Sequence, residues 1–294
     1  VRYYGVQNEV KSYLNRLQSE AGLQVSVSTV KTLNDRVESL KKSGVWSQYG
    51  LGFNDADADR YFQRASVNNV LGRFEVCLFV RGMKTLGLWQ NMVSWPMRSY
   101  QNAGTGSTAY SLGGLGTFDS TLVNSPPWGT DGIVTNYSSS QTITTITPST
   151  LILNRGSLGH IVKPTSNFAS PYYNRWFPSA WNYIGYTNGG QFHPTLQGGA
   201  NQEVSLNSPN NGLNFESKLF SWDSTTVIAN LNLTQTTTVS QTQIPNFNST
   251  SHTLSQGNAT STFGIVLDTP LTRNFYLLFY NLYKSTLGSS LGLP

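Results

Sequence analysis

The hydrophobic period of the sequence changes near Pro96, and that change limits the folds open to the chain. Before it, apolar residues recur at the i, i+3, i+4, i+7 spacing of amphipathic helices. Val10, Tyr13, Leu14 and Leu17 form one stripe. Val30, Leu33, Val37 and Leu40 form another, with Ser28 and Thr29 as candidate caps and Ser43-Gly44 as a stop. From Gln101 onward the chain breaks into short segments bounded by Gly, Pro, Asn and Ser: Thr142 to Ile146, Thr150 to Leu153, Ile161 to Lys163, Lys218 to Trp222, Thr226 to Leu233 and Thr262 to Asp268. Short turn-bounded strands rich in β-branched residues predict a sandwich. Thr234 to Gln243 alternates without a strong apolar face and suits an exposed edge strand or a long hairpin, and Leu271 to Leu287 returns to helical spacing.

The helical third repeats itself. Tyr13-Leu14-Asn15-Arg16 is echoed by Tyr61-Phe62-Gln63-Arg64, and the run from Val37 to Trp46 by the run from Val80 to Trp89, each ending in Gly, an apolar residue and Trp. The expected organisation is a helical module at 1–50, a second at 51–98 and a β-sandwich with a C-terminal helix at 99–294. The acidic stretch Asn54 to Asp59 lacks the turn Gly and distal Glu of a calcium loop, so helix capping is the expected role.

Charge and cysteine content exclude several classes. Only 11% of the 294 residues are charged, against about a quarter in ordinary soluble proteins, yet 12% are aromatic, which is the opposite of a disorder signature. The net charge of +5 lies in the first 100 residues, which hold thirteen basic and eight acidic residues; the remainder holds six of each. Basic residues there are scattered, without the aromatic-interleaved stripe of a phosphate-tracking groove, so no nucleic acid partner is expected. A single cysteine, Cys77, rules out an internal disulfide framework. No secretory leader is visible at Val1, and the longest apolar run, near Phe275 to Phe279, is far short of the ~20 residues of a membrane span.

The chemistry-bearing residues are sparse. Glycoside hydrolysis ordinarily needs two carboxylates about 5 to 9 Å apart. The nearest pair in the sandwich, Glu216 and Asp223, is separated by an odd number of positions and would point to opposite faces of one strand. His160, His193 and His252 read as lone surface histidines, Cys77 as an inert core thiol, and no nucleophile elbow or metal-spaced cluster occurs. No catalytic residue, cofactor or metal is expected. Sequons at Asn136, Asn232, Asn248 and Asn258 carry no weight in a chain this rich in Asn, Ser and Thr. Binding has one candidate: Tyr172, Tyr173, Arg175, Trp176, Trp181 and Tyr183 concentrate aromatics beside amides, as glycan sites and subunit interfaces do, although alternate residues filling the sandwich core would give the same pattern.

Several runs in this order resemble a known family. Leu86 to Trp89, Ser94 to Ser99 and Gln101 to Ser107 are similar to the junction in bacteriophage virion proteins in which small helical modules precede a concanavalin A-like, laminin-G-like jelly-roll β-sandwich. Ala109 to Gly114, Asp119 to Asn124 and Pro127 to Ile133 resemble its opening strands, and Tyr280 to Lys284 with Leu291 to Pro294 its closing helix and tail. The resemblance implies a mainly β, non-enzymatic structural or adhesive virion component: a capsid decoration, head fibre or tail fibre. Its implied partners are other virion proteins bound through the helical modules, further copies of the chain, and host-surface polysaccharide. The apolar run Arg73 to Phe79 departs from the family pattern and is expected to be a buried helix in preference to an interface.

Overall fold

The computed structural model describes residues 5–146, 155–164, 183–187, 191–196, 202–203, 206–207, 214–223, 225–232, 235–240 and 251–294. Five helices come first: α1 (Asn8–Ala21), α2 (Val27–Lys42), α3 (Val45–Gln48), α4 (Ala56–Ala65) and α5 (Val70–Thr85). The predicted stripes are the buried faces. Val10, Tyr13, Leu14 and Leu17 are buried on α1, and Val30, Leu33, Val37 and Leu40 on α2. α2 is capped by Ser26, whose Oγ accepts from the Thr29 amide, two residues before the nearest predicted cap.

The sequence repeat is also a repeat of contacts. At the end of the second helix of each unit, Lys41 and Lys84 reach the same two places. Lys41 Nζ bonds Gln7 and Glu9 and sits 5.7 Å from the Trp46 ring; Lys84 Nζ bonds Asp55 and Asp57 and sits 5.3 Å from the Trp89 ring. Gly44 and Gly87 make the exits with φ of 77° and 71°, a conformation that a Cβ would strain. The first helix of each unit grips the next unit along the chain. Tyr13 Oη donates to Val70 O, and Arg16 bonds Asp59 and Phe53 O. Tyr61 Oη donates to Gln101 O, while Arg64 bonds Asp119 and Ser111 O.

The remainder is mostly β, all antiparallel. One sheet, seven-stranded among the described residues, runs β1 (Met92–Pro96), β15 (Ala259–Leu267), β6 (Gly156–Pro164), β11 (Glu216–Trp222), β12 (Thr226–Leu231) and β13 (Gln235–Ser240), with β4 (Ile133–Thr135) also on β15. A second runs β14 (Ser251–Gln256), β5 (Thr142–Ile146), β3 (Ser120–Val123) and β2 (Thr108–Ala109). A third contains β7 (Tyr183–Thr187), β8 (Gln191–Leu196), β9 (Gln202–Glu203) and β10 (Leu206–Asn207). The Thr/Gln-rich β13 is the end strand of its sheet, as its composition predicts.

The large sheet is covered on both faces, and the period of two assigns each residue to one of them. Leu219, Ile265 and Leu267 face the helices, where Phe263 lies 5.5 Å from Phe79 of α5 and 4.8 Å from Tyr283 of α6 (Arg273–Ser285). Phe220, Trp222, Leu158 and Val266 face the second sheet and pack with Leu122, Ile143 and Leu254. The result is a helix, sheet, sheet layering whose outer two layers enclose strands that read as nearly continuous buried runs. The Arg73 to Phe79 run is, as expected, a buried helix: α5 buries Phe74 through Val80.

Candidate functional site

The aromatic candidates fall mostly outside the described residues. Tyr172, Tyr173, Arg175, Trp176 and Trp181 are not among them, and Tyr183 is placed only as the first residue of β7, paired in register with Thr195. The described residues bring together two other polar arrangements and three clefts.

The first arrangement lies between the two sheets. Glu216 and Lys218 are two apart on β11 and therefore share a face; the register sets Lys218 opposite His160 of β6. All three are 1% exposed or less, and Lys218 Nζ lies 4.0 Å from Glu216 Oε2. Burial drives each group toward its neutral form. It lowers the His160 imidazole to about 3, with the Lys218 charge adding to the effect; it raises the Glu216 carboxyl and lowers the Lys218 ammonium, each partly opposed by the other's charge. The expected surface histidine at 160 is thus a core residue. The cross-strand register that buries it is not readable from a lone His between Gly and Ile. Glu216 and Asp223 do point to different places, and Asp223 serves as a turn cap, accepting from the Thr225 and Thr226 amides.

The second arrangement locks the helices to the start of the sandwich. Glu75 of α5, 1% exposed, pairs with Arg36 of α2 and accepts from Tyr100 Oη at 3.0 Å and Gln101 Nε2 at 2.5 Å. Gln101 Nε2 and Arg98 Nη1 both donate to Leu287 O beyond α6. Helix, junction and C-terminal segment therefore meet at one buried carboxylate. Arg98 and Gln101 of this lock lie in the junction quoted for the family resemblance; Tyr100, Glu75 and Arg36 were missed, because the partners are distant in sequence.

Asp55, the predicted cap, accepts from the Asp57 and Ala58 amides, and Lys84 neutralises the acidic turn. Burial alone would raise the Asp57 carboxyl, but the bonds and charges of Lys84 and Arg60 outweigh it and hold it low. Cys77 is fully buried and its thiol is pushed up to about 12 by burial, which makes it inert as expected. Among the described residues no group of three or more His, Cys, Asp and Glu side chains is placed to hold a metal, and no helix is long and apolar enough to cross a membrane.

The clefts differ in lining. One of about 580 Å³ lies between α4 and the Ser111–Thr117 segment and includes Asp57, Arg60 and Arg64. A second, of about 730 Å³, is bordered by Arg36, Glu75 and Lys284. A third, of about 770 Å³, opens where the starts of α2 and α5 meet the Arg98 to Tyr100 segment.

The class that these layers define is a mostly β, sandwich-type fold with helices on one face. No family model and no curated protein matches the chain. Among solved structures, it is similar to the receptor-binding domain of botulinum neurotoxin mosaic serotype C/D (11% identity, TM-score 0.50, 66% of this chain and 51% of that one). It is also similar to Trypanosoma rangeli sialidase in complex with sialic acid (14% identity, TM-score 0.48, 68% of this chain and 33% of that one). The chain thus spans about a third of the sialidase's length and half of the toxin domain's. At these identities the likeness concerns the fold alone.

The expectation of a non-enzymatic chain is corrected: structures of an enzyme are among the solved structures it resembles, so the fold is not shown to be non-enzymatic. That expectation leaned on a two-carboxylate requirement, which not every glycosidase obeys. Few carboxylates in a sandwich therefore do not exclude catalysis.

Proposed function

We propose that the chain is an attachment component of a bacteriophage particle, a capsid decoration, head fibre or tail fibre. Its two helical modules bind other virion proteins and further copies of the chain, and a concanavalin A-like sandwich is displayed outward. The observation that supports this most is the serial grip: the first module holds the second through Tyr13 and Arg16, and the second holds the sandwich through Tyr61 and Arg64. Such a series suits a part that presents a domain in a fixed pose. The excess positive charge of the modules favours contact with acidic protein surfaces.

Charge reversal at exposed positions of both modules, Lys31→Glu with Arg60→Glu, is expected to reduce incorporation into particles several-fold while the chain stays folded, with only the small loss of stability that breaking two exposed ion pairs brings; the two side chains are 77% and 71% exposed. Particles purified from infected cells that lack the chain altogether would overturn the reading.

A second reading, a lectin module for host-surface adhesion, draws on the sandwich-type lectin-like fold and on the aromatic segment around Trp176 and Trp181. Loss of glycan-array binding in Trp176→Ala or Trp181→Ala would favour it over the structural role.

A further inference from the structure

The third cleft stands apart in its chemistry. Charged side chains border the other two, whereas here the only one is Arg98, which is 2% exposed and already committed. Its Nε donates to Thr130 O at 2.9 Å, Nη1 to Leu287 O at 3.1 Å and Nη2 to Ser290 Oγ at 2.8 Å. What the cleft offers a ligand is hydroxyls and amides, including Thr29, Thr32, Asn68 and Asn69, with the Tyr100 ring and Leu71 as apolar surface.

Those walls are held in place before any ligand arrives. Tyr100 donates through its hydroxyl to Glu75 at 3.0 Å, and the Arg98 guanidinium lies 4.7 Å from its ring centre. Its carbonyl packs against α5 at Gly72, where an added Cβ would sit 1.8 Å from the oxygen. Asn69 Oδ1 accepts from the Gly72 amide at 2.9 Å as the cap of α5, so its NH₂ is the group left to bond a ligand. A volume of about 770 Å³ is in the range of small-molecule sites.

Hydroxyl and amide partners around a fixed aromatic ring, with no uncommitted charge, match one ligand chemistry: vicinal hydroxyls on a ring with an apolar C–H face. We propose that this cleft binds a short neutral oligosaccharide, at the junction of the modules. The site does not depend on the particle reading.

The test is binding of the full chain to an array of neutral hexose and N-acetylhexosamine di-, tri- and tetrasaccharides with their sialylated and sulfated counterparts. The strongest neutral binder is then titrated by calorimetry. Binding is expected for neutral members and should fall at least tenfold in Asn68→Trp, which fills the cleft from an exposed position. Lys42→Ala, an exposed position at the other end of α2 from the cleft, should bind as the parent does. If Asn68→Trp lowers the unfolding temperature, Thr32→Ala, another exposed position, decides in its place. Absence of neutral binders, binding confined to charged glycans, or parent-like affinity in the cleft variant would each overturn the proposal. None of these outcomes bears on particle incorporation, so the two readings fail separately.

Discussion

His160 and Glu216 titrate in opposite directions inside the same layer. The His160 imidazole falls from an ordinary 6.5 to about 3, so between those values the unfolded chain binds more protons and stability is lost as pH falls. The Glu216 carboxyl rises from 4.5 to about 7, so there the folded chain binds more protons and stability is lost as pH rises. The two slopes offset each other where the windows overlap. His160→Leu is therefore expected to expose a fall in stability with rising pH from about 4.5 to about 7, measured by urea denaturation across that range; a flat profile would contradict the assignment. Glu75→Gln should cost about 1 to 3 kcal/mol, since a neutral amide replaces the carboxylate paired with Arg36, while Arg36, partly exposed, keeps Ser285 O and Thr286 O as acceptors. Residue-scale legibility was uneven. A cap such as Asp55 acts on its own chain neighbours and could be read directly, whereas the setting of His160 depends on strands far apart in sequence.

The elements with a strong period were legible almost to their ends. β5 spans the predicted Thr142 to Ile146, and α6 lies within the predicted Leu271 to Leu287. β1 was missed, because Met92–Pro96 is buried throughout and has no alternation to give it away. Close contacts between elements were equally hidden, and two glycines on α5 separate them by kind. At Gly72 an added Cβ meets the Tyr100 carbonyl, a backbone atom; at Gly82 it meets the tip of Leu282, 2.3 Å away, which can turn aside. Gly72→Ala is therefore expected to destabilise by about 1 to 3 kcal/mol or more, and Gly82→Ala by clearly less. Chemical denaturation of the two variants side by side would reverse this account if Gly82 proved the more sensitive.

At the scale of the whole molecule, the texture change at Pro96 correctly foretold helices followed by a sandwich-type β fold. It did not foretell that the helices cover one face of the large sheet and share a continuous core with it. α6, distant in sequence from the other helices, packs into that same core beside α5. The low charge that argued against catalysis speaks only to glycosidases that work through a carboxylate pair.

The placement of β15 has a consequence for synthesis. This strand pairs with β1, β4 and β6 and so sits inside the sheet, yet it leaves the ribosome after every other described strand of that sheet. Until it emerges, β1 and β6 have no partner between them, and a nascent chain must keep the long hydroxyl-rich stretch that separates β1 from β15 from pairing wrongly. A sequence with few charges but abundant Ser, Thr and Asn meets that wait by remaining hydrated without being folded.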